Sequence, residues 1–123
     1  MKKFIFISVL LTLVFSTVLS ARYISPFKGQ KEYLKKCRPC HHGSNTFVPL
    51  FTQKYWKEMM ENKGEKLVNI HKNIDKSMVE KEQNIDMIHE YFASDRYKKK
   101  FKYLNAFVIR FAKDGPKSPT TGK

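Results

Sequence analysis

The clearest pattern in the chain runs from Asp95 to Lys113, where Tyr97, Phe101, Leu104, Phe107, Val108 and Phe111 fall at steps of three and four. That spacing gathers six large apolar side chains on one stripe of a helix. Gly115-Pro116 ends the pattern, and the Pro/Ser/Thr/Gly run to Lys123 reads as a disordered tail. Near the other end, Arg22 to Phe27 reads as an extended lead-in stopped by Pro26. Gly29 to Lys36, with Tyr33 and Leu34 among charges, suits a short amphipathic helix. Cys37 to Pro49 holds two prolines, a glycine and Ser44-Asn45-Thr46, the composition of an irregular loop. Thr52 has the side chain of an N-cap, and Tyr55, Trp56, Met59 and Met60 recur at helical spacing until Asn62-Lys63-Gly64 breaks the run. Glu65 to Lys72 sets Leu67, Val68, Ile70 and His71 on a further helix, whereas Asn73 to Asp86 is polar and weakly patterned. No segment alternates with period two, so the expected fold class is all-α, with three to five short helices.

The first residues follow a different plan. Lys2 and Lys3 precede an apolar stretch from Phe4 to Leu19, broken only by Ser8, Thr12, Ser16 and Thr17 and followed by small residues. This is the layout of a Sec signal peptide. Val18-Leu19-Ser20 before Ala21 puts cleavage after Ser20, with Ala21 as the second choice. An uncleaved anchor is the alternative, since about 17 apolar residues just span a bilayer. The expected organisation is a leader over 1–20, one soluble domain over 21–114 and a tail over 115–123, exported to the periplasm as a monomer.

Charge narrows the partners. The chain has 24 Lys and Arg against 11 Asp and Glu, a net +13, and removing the leader with its two lysines leaves +11. Such a field favours anionic partners. An exported chain rarely meets nucleic acid, so acidic redox proteins or anionic lipid headgroups are the better candidates. Lys31, Lys35, Lys36 and the Lys98–Lys100 run would steer such an encounter, although many lysines serve only to solvate helix faces. So basic a domain has little apolar material for its size, and something besides hydrophobic burial is needed to stabilise it.

Cys37-Arg38-Pro39-Cys40-His41 carries the chemistry. Two thiols two residues apart on a helical turn can add to the two vinyl groups of haem, and the adjacent imidazole then meets the iron from one side. A thioredoxin-like dithiol would need a strand leading into the motif, where Tyr33 to Lys36 reads as helix, and leaves His41 without a role. Zinc would need a second ligand cluster, and His71 and His89 stand alone. A structural disulfide between Cys37 and Cys40 would close too small a loop to stabilise much.

Around the motif the chain resembles the class I cytochrome c family. Gly29, Tyr33 and Cys37 keep the four-residue intervals of that family's N-terminal helix, and Leu104-Asn105-Ala106-Phe107 with Val108 is similar to its C-terminal helix. The resemblance covers roughly Lys28 to Lys113. It implies a cytochrome c-like bundle around one covalent haem c, with Cys37 and Cys40 as thioether anchors, His41 as proximal ligand and a close helix crossing at Gly29. The function implied is one-electron transfer with no catalysis. Two departures stand out: His42 intervenes between the motif and Gly43, and no Met-Pro pair offers a distal ligand.

The distal candidates are Met59, Met60, Met78, Met87, His71 and His89, because His42 directly follows the proximal ligand and cannot reach the opposite face. Position in the chain favours Met87. His71 gains from a second resemblance: Phe51-Thr52-Gln53, Trp56, Asn62, Gly64 and Leu67 to His71-Lys72 are similar to a subgroup of periplasmic monohaem cytochromes with a histidine after this helix pair. His71 is the expected distal ligand and Met87 its alternative. Met59 and Met60, on an aromatic helix, are expected in the core. An open iron position would instead suit a peroxidase or small-ligand sensor, and without haem the cysteines would make a thiol redox protein.

Overall fold

The computed structural model describes residues 22–116. The leader expected over 1–20, and the tail beyond Pro116, lie outside the described residues. Within them the chain is all-helical: α1 (Pro26–Lys36), α2 (Ser44–Phe47), α3 (Gln53–Met59), α4 (Glu61–Lys72), α5 (Gln83–Ala93) and α6 (Asp95–Arg110). Short 3-10 turns follow α2 at Val48–Leu50 and precede α5 at Lys76–Met78.

Six helices exceed the three to five expected from the sequence, for two local reasons. The Cys37–Pro49 segment is not wholly irregular, because Ser44–Phe47 closes one helical turn and Val48–Leu50 a 3-10 turn. The second half of the weakly patterned region leads into α5, whose buried Ile88, Tyr91 and Phe92 sit at i, i+3 and i+4. Pro26 also begins α1 rather than stopping the lead-in. At the first helical position its missing N–H is not needed and its fixed φ is already helical.

Other punctuation falls where the residues demand it. The Thr52 side chain accepts from Tyr55 N at 3.2 Å, capping α3. Asn62, Lys63 and Gly64 take positive φ of 51°, 58° and 76°, so regular α4 starts only after them. The Tyr97 hydroxyl donates to the Lys63 carbonyl at 2.9 Å, and a Cβ at Gly64 would overlap that hydroxyl. Ser94 joins α5 to α6, donating to Tyr91 O at 2.6 Å and accepting from Tyr97 N at 3.2 Å.

The frame is the crossing of α1 and α6. A Cβ built on Gly29 would collide with the Tyr103 carbonyl and lie 2.6 Å from the Phe107 Cβ, so only glycine allows the two backbones this close. Beside it Glu32, 3 % exposed, receives a two-pronged bond from Arg96, Nε to Oε1 at 2.9 Å and a terminal nitrogen to Oε2 at 2.6 Å. Two apolar clusters form on this frame. One gathers Tyr33, Val48, Trp56, Met60, Leu104, Phe107, Val108, Phe111 and Ala112; the other gathers Ile88, Tyr91, Phe92 and Tyr97. Leu67 and Phe101 pack against both. Among the described residues no helix is long and apolar enough to cross a membrane.

The crossing gives a direct test. Gly29→Val should lower unfolding stability by about 1–3 kcal/mol through overpacking, read from denaturant midpoints. Unchanged stability would mean that α1 and α6 do not meet at this residue.

Candidate functional site

The CxxCH segment continues the winding of α1. Cys37 N and Arg38 N both donate to Tyr33 O, at 2.8 and 3.0 Å, and Cys40 N and His41 N donate to Cys37 O at 3.1 and 2.8 Å. The motif is thus a further turn at the end of α1, with both thiols free. Cys37 is half-buried and Cys40 exposed. The buried Tyr33 ring braces the turn from beneath, its hydroxyl donating to the His42 carbonyl at 2.7 Å.

Opposite this turn stands His71, in the last turn of α4. Its Nδ1 lies 2.6 Å from the Leu67 carbonyl. A carbonyl can only accept, so Nδ1 carries the proton and Nε2 keeps its lone pair for another partner. The His41 and His71 ring centroids are 6.1 Å apart, with ring planes inclined at 75°. An ion lying directly between one nitrogen of each imidazole, at about 2 Å from both, would space the centroids by roughly 6 Å. Each ring is backed by an aromatic side chain, Phe47 stacking on His41 at 4.2 Å and Phe92 lying against His71 at 4.5 Å.

The two imidazoles flank a slot of about 40 Å³ whose walls include Tyr33, Cys37, Phe47, Trp56, Met60, Leu67, Phe92, Leu104 and Val108. It continues into a cleft of about 120 Å³ that Cys40, Ile74, Met78 and Val79 also line, and outward into a depression of about 350 Å³ beside Arg38, Pro39 and His42. The slot lies between the two apolar clusters, with walls drawn from both.

The electrostatics suit neutral ligands. Burial lowers the His41 pKa, with the neighbouring His71 and His42 adding to the effect; burial also lowers that of His71, against the upward pull of its Leu67 bond. Both rings are therefore neutral near pH 7, the form that donates a lone pair. The Cys37 thiol is pushed up to about 12 by burial, the Glu32 carboxylate and Cys40. Burial also raises Cys40, offset in part by a bond from Asn84. A reactive dithiol centre relies on the opposite shift.

Of the residues singled out from the sequence, Cys37, Cys40, His41 and His71 come together. Met60, buried as expected, reaches the same slot, and Met78 lines the adjoining cleft. Met87 does not join them: it lies on α5 and lines a separate polar hollow with Lys36, Gln83, Asp86, Glu90 and Arg96. Met59 packs against the first cluster, and His89, on α5, lines none of these cavities. Among the described residues no three His, Cys, Asp or Glu side chains converge to hold a bare metal ion. Sequence reading missed the stacking roles of Phe47 and Phe92 and the Glu32–Arg96 pair, because nothing in local spacing joins residues so far apart.

The donor set is of a kind that could hold a haem: two neutral imidazoles with centroids 6.1 Å apart, two free thiols beside them, and apolar walls drawn from both clusters. Compared with known proteins, the chain matches no family model, no curated protein and no solved structure.

The brace beneath the motif can be checked by mutation. Tyr33→Phe leaves the packing of the ring intact and strips the His42 carbonyl of its donor, so it should cost about 1–2 kcal/mol in denaturant unfolding. No measurable change would show that this bond does not hold the turn.

Proposed function

We propose that the chain is an exported monohaem c-type cytochrome that carries single electrons between redox partners, with Cys37 and Cys40 as the haem anchors, His41 as proximal ligand and His71 as distal ligand. The observation that carries this reading is the 6.1 Å between the His41 and His71 ring centroids, across an apolar slot beside a CxxCH turn. Bound haem would supply a ferric/ferrous couple.

The residues of the chain do the rest. The Leu67 carbonyl fixes the tautomer and direction of His71, so that Nε2 would be the atom to hold the iron. Phe47 and Phe92 lie against the two imidazoles and hold their planes. The Tyr33 bond to His42 O keeps the proximal turn rigid, which limits reorganisation between oxidation states. Cys40, exposed, sets the covalent edge at the surface, where an electron can enter and leave.

The other readings have less support. A peroxidase or ligand sensor needs an open iron position, and a His71 ligand, which its 6.1 Å separation from His41 supports, would fill it. A thiol redox protein needs a stabilised thiolate, and both thiols are shifted the other way. Export and an acidic redox partner rest on the leader-like N-terminus and the charge.

Mass spectrometry of protein matured in a periplasm with a haem-attachment system should give the chain plus one haem. Cys37→Ala or Cys40→Ala should weaken attachment, and the double variant should abolish it. Only haem-free mass for the unaltered chain would refute the proposal.

The distal ligand has a separate signature. Ferric haem with a thioether ligand absorbs weakly near the red end of the visible spectrum, and bis-imidazole haem does not, so the band should be absent. If the band is present, and is lost in Met60→Ala, Met78→Ala or Met87→Ala but kept in His71→Ala, the ligand is that methionine.

A further inference from the structure

We infer that the face formed by α1 and α6 is a docking surface for the anionic headgroups of a lipid bilayer, distinct from the cleft between His41 and His71. The inference does not rest on the haem reading.

The charge of the chain is segregated. Residues 37–94, which supply most of the cleft, hold eight Lys and Arg against eight Asp and Glu. Residues 26–36 and 95–116 together hold eleven against three, a net +8. The excess of positive charge thus sits on the two crossing helices rather than around the candidate site.

On those helices the cations share one groove. Lys28, Lys31 and Lys35, at i, i+3 and i+7 of α1, face Arg96, Lys100 and Tyr103 of α6 across a hollow of about 510 Å³. The carboxylate in its wall, Glu32, is buried and engaged by Arg96, so it does not neutralise the lysines. The ammonium groups of Lys28, Lys100 and Lys102 gather around the Tyr103 ring at 5.3, 5.7 and 5.1 Å from its centroid. The ring face partly offsets their mutual repulsion and holds them as a cluster without an anion of their own. None of the residues lining this groove lines the cleft between His41 and His71.

Charge alone would serve an acidic protein equally well. The apolar side chains beside the cluster favour a bilayer. Tyr23, Ile24 and Phe27, which immediately precede Lys28, are 76 %, 43 % and 55 % exposed. Phe27 is held from behind by the edge of Phe111, with centroids 6.3 Å apart. Aromatic and aliphatic side chains standing out beside a row of lysines match the boundary between headgroups and acyl chains, where the lysines meet phosphate and the apolar groups leave water.

The test is co-sedimentation of the exported protein with vesicles of mixed phosphatidylglycerol and phosphatidylcholine, against vesicles of phosphatidylcholine alone. Binding should need the anionic lipid and weaken as salt rises. Lys28→Glu/Lys31→Glu/Lys35→Glu should weaken it at least about tenfold, and Lys100→Glu/Lys102→Glu, beside the Tyr103 ring, should act in the same direction. Lys54→Glu/Lys57→Glu/Lys66→Glu, with the same net charge as the first triple variant, should stay within about twofold of the original. Tyr23→Ser/Ile24→Ser should also weaken binding while leaving its salt dependence in place. Equal losses in the two triple variants would reduce the effect to net charge and overturn the inference. So would equal binding to phosphatidylcholine alone, no binding at all, or a Tyr23→Ser/Ile24→Ser variant that binds unchanged, the last pointing to an acidic protein instead.

Discussion

The contact between the backbones of α1 and α6 at Gly29 is the constraint on which the rest depends. A side chain there would push the helices apart, since its Cβ would occupy the place of the Tyr103 carbonyl. A single point of contact still leaves the helices free to pivot. Glu32 and Arg96 remove that freedom: their two parallel bonds fix the angle as well as the distance. Burying a carboxylate costs solvation that an ion pair only partly offsets, so the value of this pair lies in geometry more than in net stability. Once the crossing is fixed, the end of α1 is fixed, and with it the turn that carries Cys37, Cys40 and His41.

The second consequence concerns what the helices cannot cover. The first cluster grows from the α1–α6 crossing toward α3, and the second forms where α5 folds back on α6 through the Ser94 joint. Leu67 and Phe101 touch both, yet the space between His41, Trp56, Met60 and Phe92 is left open. An apolar gap of that kind forfeits contact on every side that faces it. A flat, rigid, apolar group bound between the imidazoles would restore those contacts and join the clusters into one core. The extra stabilisation expected for so lysine-rich a chain and the cofactor expected at CxxCH would then have a single source.

Much of this frame was legible because it is local. The 3-4 spacing in α6, the Thr52 cap, the break at Asn62–Gly64 and the glycine-aromatic-cysteine interval of α1 each depend on residues within a turn or two of one another. The misread segments depend on distant partners. Only Gln83 to Asp86 of α5 fall in the stretch that reads as weakly patterned, and Ile88, Tyr91 and Phe92 beyond it gain their place in a core only against Tyr97. Pro26 was ambiguous by nature, since the same ring stops a helix in its interior and opens one at its first turn. For the site, CxxCH named three residues outright. His71 is also expected from the sequence, through the resemblance over Phe51 to Lys72, and what the fold adds is the packing of α4 that sets its ring 6.1 Å from that of His41, while Met87 lines another hollow.

The distribution of charge separates two tasks that a basic protein is commonly assumed to combine. If the lysines served only to bring an acidic partner to an electron-transfer edge, they would be expected around Cys40. Lys36 and Arg38 do line the cleft or its mouth, and Lys36 lies 5.6 Å from the Tyr91 ring centroid. The net charge of the cleft-forming segment is nevertheless zero, and the unbalanced charge stands on α1 and α6. A molecule with so uneven a distribution orients in the field of any anionic surface, turning its charged face toward it before contact. If both proposals hold, orientation would fall to the terminal helices and exchange at the cleft to short-range contacts of Pro39, Met78 and Val79, and a redox partner would not need to match the whole positive field in order to dock.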